Sequence, residues 1–372
     1  MQLNVQTLIR FLEELAPKRL ALEWDHVGLQ LGSMQGIVNK IYVTLDVNAE
    51  ALTEAIALGA DFIITHHPFI FKPLTAIRTD QEKGRLIQQA LQAGIRIYAA
   101  HTNLDLAFGG VNDVLAEQLG LQETKVLRVS EEEELLKLVV FVPQGHEHNV
   151  RNALSAAGAG WIGNYSHCSF YTTGTGTFMP GAAANPYLGE QGKLEKVTEV
   201  RLETILPAHL SKRVVQAMLK AHPYEEVAYD LYPLVNKGRA FGLGRVGYLQ
   251  QSLVLSEFCH LVKEKLGVPF VRVTGDTDKE IHKVAVCGGS GSDLIAAAYY
   301  AGADVLVTGD LKYHEAQEAQ VLGLAVIDAG HDGTERIIVP ALCDYLQQQL
   351  TAAGYHNEII ASTTNTTPWH LL

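Results

Sequence analysis

What this chain lacks narrows it first. Its four cysteines, Cys168, Cys259, Cys287 and Cys343, stand far apart and form no C-x-x-C, which indicates neither a disulfide framework nor a thiolate zinc site and reads them as small buried hydrophobes. No apolar run approaches the about 18 residues that would span a bilayer. An excess of basic charge is also missing: the formal net charge is −12, so general nucleic-acid binding is not expected, because a phosphate backbone calls for a basic surface. A local basic pocket is not excluded by that. No Walker-type Gly-x-x-x-x-Gly-Lys occurs, so any phosphate contact has to come from other loops or from a neighbouring subunit. No signal sequence is expected either: Leu3, Val5, Leu8, Ile9, Leu12 and Leu15, interrupted by Arg10, Glu13 and Glu14, read as an amphipathic helix, and a cytoplasmic location is expected.

What remains is an ordinary globular composition, 47% hydrophobic and 19% charged, over 372 residues, enough for two or three domains. The most informative stretch is Asp61-Phe-Ile-Ile-Thr-His-His-Pro68. Its apolar run reads as a buried strand, entered from a helix closed by Gly59, and it delivers two imidazoles at its carboxyl end, where ligands of α/β proteins collect. Taken alone, His66 and His67 fit a metal or acid–base site and equally a surface turn.

Upstream, a strand Lys40 to Leu45 and a helix Asn48 to Leu58 complete a βαβ unit; downstream, a helix Glu82 to Ala93 leads to the strand Ile95 to Ala100. Alternation at this spacing predicts a largely parallel sheet covered on both faces. The pattern then returns. Lys40 precedes Asp61 by 21 positions and Lys283 precedes Asp304 by 21; Gly-Ala-Asp recurs at 59–61 and 302–304, and a threonine, Thr65 or Thr308, closes each strand. Ile95 to Ala100 likewise corresponds to Leu324 to Ala329. The body therefore reads as two diverged α/β lobes, 1–127 and 237–372.

The repeat sharpens the histidines. One lobe ends its strand in His101-x-x-x-Asp105 and the other in His331-x-x-x-Glu335, and residues four apart at a helix start share a face. With His66 and His67 that makes four imidazoles and two carboxylates, a set suited to two divalent cations bridged by a carboxylate, with positions left for water; a satisfied polar cluster is the plainer alternative. In place of the histidine pair the second lobe has Gly309-Asp310, so the site is expected to be asymmetric. Asp310, Tyr313 and His314 fall on the loop that faces it, either orienting a ligand or simply capping the next helix, Glu315 to Val321.

Between the lobes the character changes. After a charge run at Glu131 to Glu134, read as a solvated start, the strands and helices follow a β-α-β-β-α-β order typical of a ferredoxin-like α+β domain, inserted at 128–236. His146 and His148 form an H-x-H pair there, with metal binding the less expected role in such a loop. Tyr224, Glu225 and Glu226 look like strand-entry residues or a ligand or subunit surface.

Together Thr65-His-His-Pro68, His101-Thr-Asn-Leu-Asp105, Thr308-Gly-Asp310 with Tyr313-His314, and Gly330-His331 with Thr334-Glu335 resemble the NGG-interacting-factor-three-like family, the dinuclear metal centre proteins and GTP cyclohydrolase I type 2 homologues. The resemblance covers essentially the whole chain, and the insert resembles the PII- or CutA-like domain of the longer bacterial members. It implies a toroidal homohexamer, a pair of divalent cations (zinc, iron, manganese or cobalt) in each subunit, and ligands His66, His67, Asp105, His331 and Glu335, with Glu335 bridging and His101 a ligand or close neighbour. It also implies a metal-dependent hydrolase opening the ring of a purine nucleotide such as GTP. Against that stands a metal-binding scaffold or regulatory protein whose insert senses a small ligand. Two positions depart from the family pattern: His26 stands for an asparagine and Asp332 for an aromatic.

Overall fold

The computed structural model describes residues 1–369. The chain divides into two compact units: Met1–Glu131 together with the chain from Phe241 onward, and Glu132–Ala240. No helix among the described residues is long and apolar enough to cross a membrane.

In the first unit the repeat is a repeat of structure. Strands Lys40–Thr44, Phe62–Thr65 and Arg96–Ala99 run parallel, and so do Glu280–Ser290, Val305–Gly309 and Ala325–Asp328. Each trio carries an antiparallel strand on the same edge, Gly28–Leu31 on the first and Arg272–Thr274 on the second. The shared Gly-Ala-Asp has the same work in both. Asp61 accepts from the backbone N–H groups of Asn39 and Lys40 at 2.9 to 3.1 Å, and Asp304 accepts from His282 and Lys283, both at 2.9 Å. Each carboxylate thus satisfies donors at the entry of the neighbouring strand that the ladder leaves open.

The strand that delivers the histidines is four residues long, and all four, Phe62, Ile63, Ile64 and Thr65, are buried. Helices Ala49–Ala57 and Glu82–Gln92 pack Leu52, Ala55, Ile87 and Ala90 on the face that carries Ile63, while Phe62 and Ile64 face a core built from helix Val5–Leu15. Each such side chain contributes about 1.5–3 kcal/mol by leaving water, so the site stands on a fully buried part of the unit. Two pieces that sequence periodicity did not reveal complete it: helix Ile338–Ala352, and the strand Glu358–Ala361, which pairs in parallel with Lys40–Thr44. Arg245, buried, ties early and late residues together, donating to both carboxylate oxygens of Asp113 at 2.6 and 2.8 Å and to the carbonyls of Ala107, Gly242 and Gly244.

The second unit has the order strand, helix Glu147–Ala156, strand Ser169–Phe178, strand Glu195–Pro207, helix Ser211–Ala221, strand. Strands Gln122–Pro143 and Tyr229–Val254 carry the chain into and out of it. Gln122–Pro143 pairs antiparallel with Glu195–Pro207, and that strand pairs with Ser169–Phe178. Its core is Leu138, Val140, Leu202 and Leu206 from the strands against Val150, Leu154, Val214 and Met218 from the two helices.

Two expectations need correction here. Glu131 to Glu134 is no solvated start but lies inside strand Gln122–Pro143; the run alternates half-buried and exposed positions, Glu131 pairs with Arg19, and Glu133 accepts from the backbone N–H of Arg239 at 3.2 Å. Only Cys259 and Cys287 are buried, whereas Cys168 and Cys343 are half-buried and all four are free thiols. Cys168 follows the left-handed His167 in a loop, not a sheet.

Candidate metal centre

The carboxyl ends of the parallel strands and the starts of two short helices bring six side chains together. His66 and His67 leave strand Phe62–Thr65, Asp105 lies on helix Thr102–Leu106 with His101 as its N-cap, and His331 and Glu335 lie on helix His331–Glu335. They form three overlapping sets able to hold a metal ion: His66, His67 and His101; His67, His331 and Glu335; and His66, Asp105 and Glu335.

Each imidazole is aimed by an acceptor behind it. His66 Nδ1 donates to the Ala100 carbonyl at 2.9 Å, His67 Nδ1 to Asp46 Oδ1 at 2.7 Å and His331 Nδ1 to Asp310 Oδ2 at 2.7 Å. A ring whose Nδ1 holds a proton for an outer acceptor presents the lone pair of Nε2 inward, which is how metal-ligating histidines are oriented. The fourth ring, His101, has Asp25 Oδ1 at 3.1 Å from its Nδ1 but off the hydrogen-bond line. Asp25 is itself fixed by the N–H and hydroxyl of Thr102.

Glu335 faces two ways. Its Oε1 lies 3.7 Å from His66 Nε2, while Oε2 lies 2.9 Å from His67 Nε2 and 3.1 Å from His331 Nε2. The two strand ends opposite it are glycines for a reason. A Cβ at Gly289, where φ is +63°, would come within 2.2 Å of Glu335 Oε1, and one at Gly309 within 2.6 Å of the His331 backbone nitrogen. Asp310, the next residue, adopts φ +56°, a strained conformation for a residue with a side chain, and in it the carboxylate reaches His331.

The electrostatics test whether these residues suit a cation. Asp25 Oδ1, His66 Nε2, His101 Nδ1 and Asp105 Oδ1 are all buried without a hydrogen-bond partner, a costly arrangement unless something binds them. Burial, reinforced by Glu335 and opposed by the His66 imidazole, pushes Asp105 up to about 7. Burial acts against charge on His67 and His331 too, yet Asp46 and Glu335 raise the first to about 10, and Glu335 and Asp310 raise the second to about 9. Glu335 is held well below the usual carboxylate range by His331, His66 and His67, in spite of its burial. Desolvated carboxylates thus hold protons on imidazoles where a divalent cation would supply the positive charge, and imidazole with carboxylate is a donor set that divalent metals take. The residues fit a metal.

All six residues expected at the site meet there, but not as two matching pairs. His331 touches Glu335, whereas the imidazole near Asp105 is His66, at 3.6 Å, because the N-cap position of His101 turns it towards Asp25. Asp310 is at the site as the acceptor behind His331. Tyr313 and His314 stack edge to face on each other and bond to Gln317 on helix Tyr313–Leu322, with Tyr313 exposed. His146 and His148 belong to none of the metal-capable sets among the described residues; His146 Nε2 instead meets the Tyr187 hydroxyl at 3.2 Å. Sequence reasoning missed Asp25 and Asp46. Asp46 follows the end of strand Lys40–Thr44, on the same rim as the histidines, and its second oxygen accepts from Thr366 at 2.7 Å. Strand-end position was the available signal.

Fold and site together define an α/β protein with a histidine–carboxylate centre able to bind metal. Across residues 3–368 the sequence matches the model of the Duf34/NIF3 (NGG1p interacting factor 3) family, and the chain belongs to it. It is 48% identical over 366 residues to the protein named GTP cyclohydrolase 1 type 2 homolog of Halalkalibacterium halodurans, covering 98% of each chain. It is also 48% identical to the Bacillus subtilis protein of the same name, covering 99% of each. Among solved structures, a Bacillus cereus protein related to NIF3 superposes with a TM-score of 0.93 at 48% identity over 100% of both chains.

Proposed function

We propose that the protein is a divalent-metal-dependent hydrolase acting on a purine nucleotide or a related heterocycle, with two divalent cations (zinc, iron, manganese or cobalt) held by His66, His67, His101, Asp105, His331 and Glu335. One observation carries the reading: Glu335 belongs to two metal-capable sets and turns one carboxylate oxygen towards each, the disposition of a bridging ligand. Divalent cations at such a centre act as Lewis acids and bring the pKa of water towards neutrality. The chain's own residues do the rest. Asp46 and Asp310 keep protons on Nδ1 of His67 and His331, so that both rings present Nε2. A cavity of about 710 Å³ opens in front of the centre, lined by Trp24, Phe71, His101, Arg128 and Asp293 among others. Trp24 and Phe71, with ring centroids 5.9 Å apart and planes inclined at 59°, offer an angled aromatic corner for a heterocycle, and Arg128, held by Asp293 at 2.7 Å, offers charge for a phosphate. The names of the relatives point to the same chemistry.

The test is formate release from GTP by metal-replete protein. Turnover that disappears in Glu335→Gln supports the reading, and turnover no greater than in that variant removes it. Elemental analysis of protein purified without added metal is the companion measurement, since less than about one ion per chain, against a His66→Ala control, removes the two-metal centre.

A regulatory role for the insert, of a PII- or CutA-like ferredoxin-like kind, is favoured by a cavity inside the second unit. Deleting 132–240, the second compact unit, which leaves Arg128 in place, separates the readings: unchanged turnover, with no ligand raising the melting temperature of the intact protein, ends the sensor idea. Assembly as a cytoplasmic homohexamer belongs to the same proposal and is checked by sedimentation.

A further inference from the structure

The cavity in the second unit measures about 330 Å³, a size common for small-molecule sites. It has a definite chemistry, and it is independent of the metal centre. Three of its walls are rings: Phe178 lies 6.1 Å from Tyr224 at 59°, and Tyr187 lies 6.2 Å from Tyr224 at 48°. The remaining polar lining includes Glu199, Glu225 and Glu226, and among the described residues no lysine or arginine lines it.

Each part is held from behind. Tyr224 receives its position from His222, whose Nε2 donates to the Phe141 carbonyl at 3.0 Å while its Nδ1 accepts from the Tyr224 backbone N–H at 3.1 Å. Burial lowers the His222 pKa, so that ring brings no positive charge. Tyr187 lies on the segment joining strands Ser169–Phe178 and Glu195–Pro207, and that segment is pinned twice, by the Tyr187 hydroxyl against His146 and by the Asn185 backbone N–H donating to Glu225 Oε1 at 2.8 Å. Glu199 is 9% exposed. The Tyr224 hydroxyl donates to its Oε1 at 3.1 Å, and no cation forms an ion pair with it among the described residues. A Cβ at Gly176 would stand 1.9 Å from Glu199 Oε2, so the glycine is what lets this carboxylate lie across the sheet towards the cavity.

A buried carboxylate with only a hydroxyl for company is costly and looks for positive charge. Aromatic faces attract the same charge through their quadrupoles, which is how ring cages select organic ammonium groups. An anion would meet three carboxylates, and a neutral apolar guest would leave Glu199 desolvated without compensation. We infer that this cavity binds a small organic cation, an ammonium carried on an apolar or aromatic body, with the charged group between Glu199 and the rings of Tyr187 and Tyr224.

Isothermal titration of the full-length, metal-loaded protein with benzyltrimethylammonium and phenethylamine, and with 3-phenylpropionate as the anionic control, tests the inference. Saturable binding of at least one of the cations at one per chain is expected, weakened roughly tenfold or more by Glu199→Gln and by Tyr187→Ala, with the anion not binding. Glu199→Gln keeps an acceptor for Tyr224, and Glu226→Gln at the exposed rim is a second variant, expected to weaken binding less. Absence of saturable binding by both cations, equal binding of the anion, or affinity indifferent to Glu199→Gln and Tyr187→Ala overturns the assignment. So does a change of oligomeric mass in Glu199→Gln with no cation bound by the unmodified protein, which would make the cavity a contact between copies.

Discussion

Replacing Gly289 with alanine adds one methyl group and is expected to disable the metal centre. Two costs arise. The residue has φ +63°, and holding a side chain in the left-handed region costs about 1–2 kcal/mol. The new Cβ would also meet Glu335 Oε1 at 2.2 Å. Glu335 is buried, engaged by His67 and His331 and backed by the chain around Gly288, so it has little room to retreat, and overpacking of this kind typically costs about 1–3 kcal/mol. Gly59→Ala supplies the control. Gly59 has φ +71° and nothing within 4 Å of an added Cβ, so it bears the backbone cost alone. Equilibrium urea unfolding should place Gly289→Ala below Gly59→Ala by about 1–3 kcal/mol, and elemental analysis should find metal retained in Gly59→Ala and depleted in Gly289→Ala. Equal stabilities, or a full metal complement in Gly289→Ala, would refute the claim that the close approach of Gly289 positions Glu335.

Asp310→Gly removes the acceptor behind His331 Nδ1 and should weaken metal affinity about 10–100-fold, as competition with a chromogenic chelator would show, while urea unfolding of the metal-free protein near neutral pH should show no gain in stability, since relief of the φ of +56° is set against loss of the His331–Asp310 pair and a freer unfolded chain. Metal affinity should rise with pH, since His67 and His331, raised to about 10 and 9 without metal, must surrender Nε2 protons to coordinate; titration at neutral pH in two buffers of different ionisation enthalpy should detect proton release. The metal-free protein shows the opposite slope from these two groups: their contribution to stability is complete below the unfolded histidine value of about 6.5 and fades as pH climbs through 9 to 10. Asp113→Ala leaves the buried Arg245 guanidinium without its counter-charge and should cost about 3–5 kcal/mol, lowering the melting temperature with or without metal.

Much of the first unit was legible because its repeat is written in spacing. Lys40 to Asp61 and Lys283 to Asp304 keep one interval, and the two aspartates serve the same backbone donors, so a local constraint preserved a local signature. The six residues at the centre were legible for a related reason: periodicity locates the strand ends, and all six sit at a strand end or on the short helix that follows one. What escaped depends on long-range contact. Asp46 and Asp25 look like ordinary turn residues until the chain folds and places them behind imidazoles 21 and 76 positions away. The edge strand Glu358–Ala361 has too few residues for a pattern of its own and is defined by pairing with Lys40–Thr44. His101 and His331 looked equivalent in sequence, but one is an N-cap and the other a first helical residue, and a one-position difference in helical phase is enough to send the rings to different partners. Tyr224, Glu225 and Glu226 were noticed without their counterpart, because Phe178, Glu199 and Tyr187 come from two other strands and the segment joining them.

The orientation of Glu335 also has a consequence in time. His66, His67, His101 and Asp105 leave the ribosome roughly 230 positions ahead of Glu335, which at about 5–20 residues per second is on the order of ten to fifty seconds. During that interval the nascent chain carries three imidazoles and a carboxylate with no Glu335 to link the sets, and with Asp46 still lacking Thr366. Such a half-built cluster can hold ions only loosely and without the selectivity that fixed geometry confers. On the proposed two-cation reading, a complete ligand set would therefore exist only once Glu335 has folded back onto the other four residues, and a bound ion would reflect what is available then, not what those four met first.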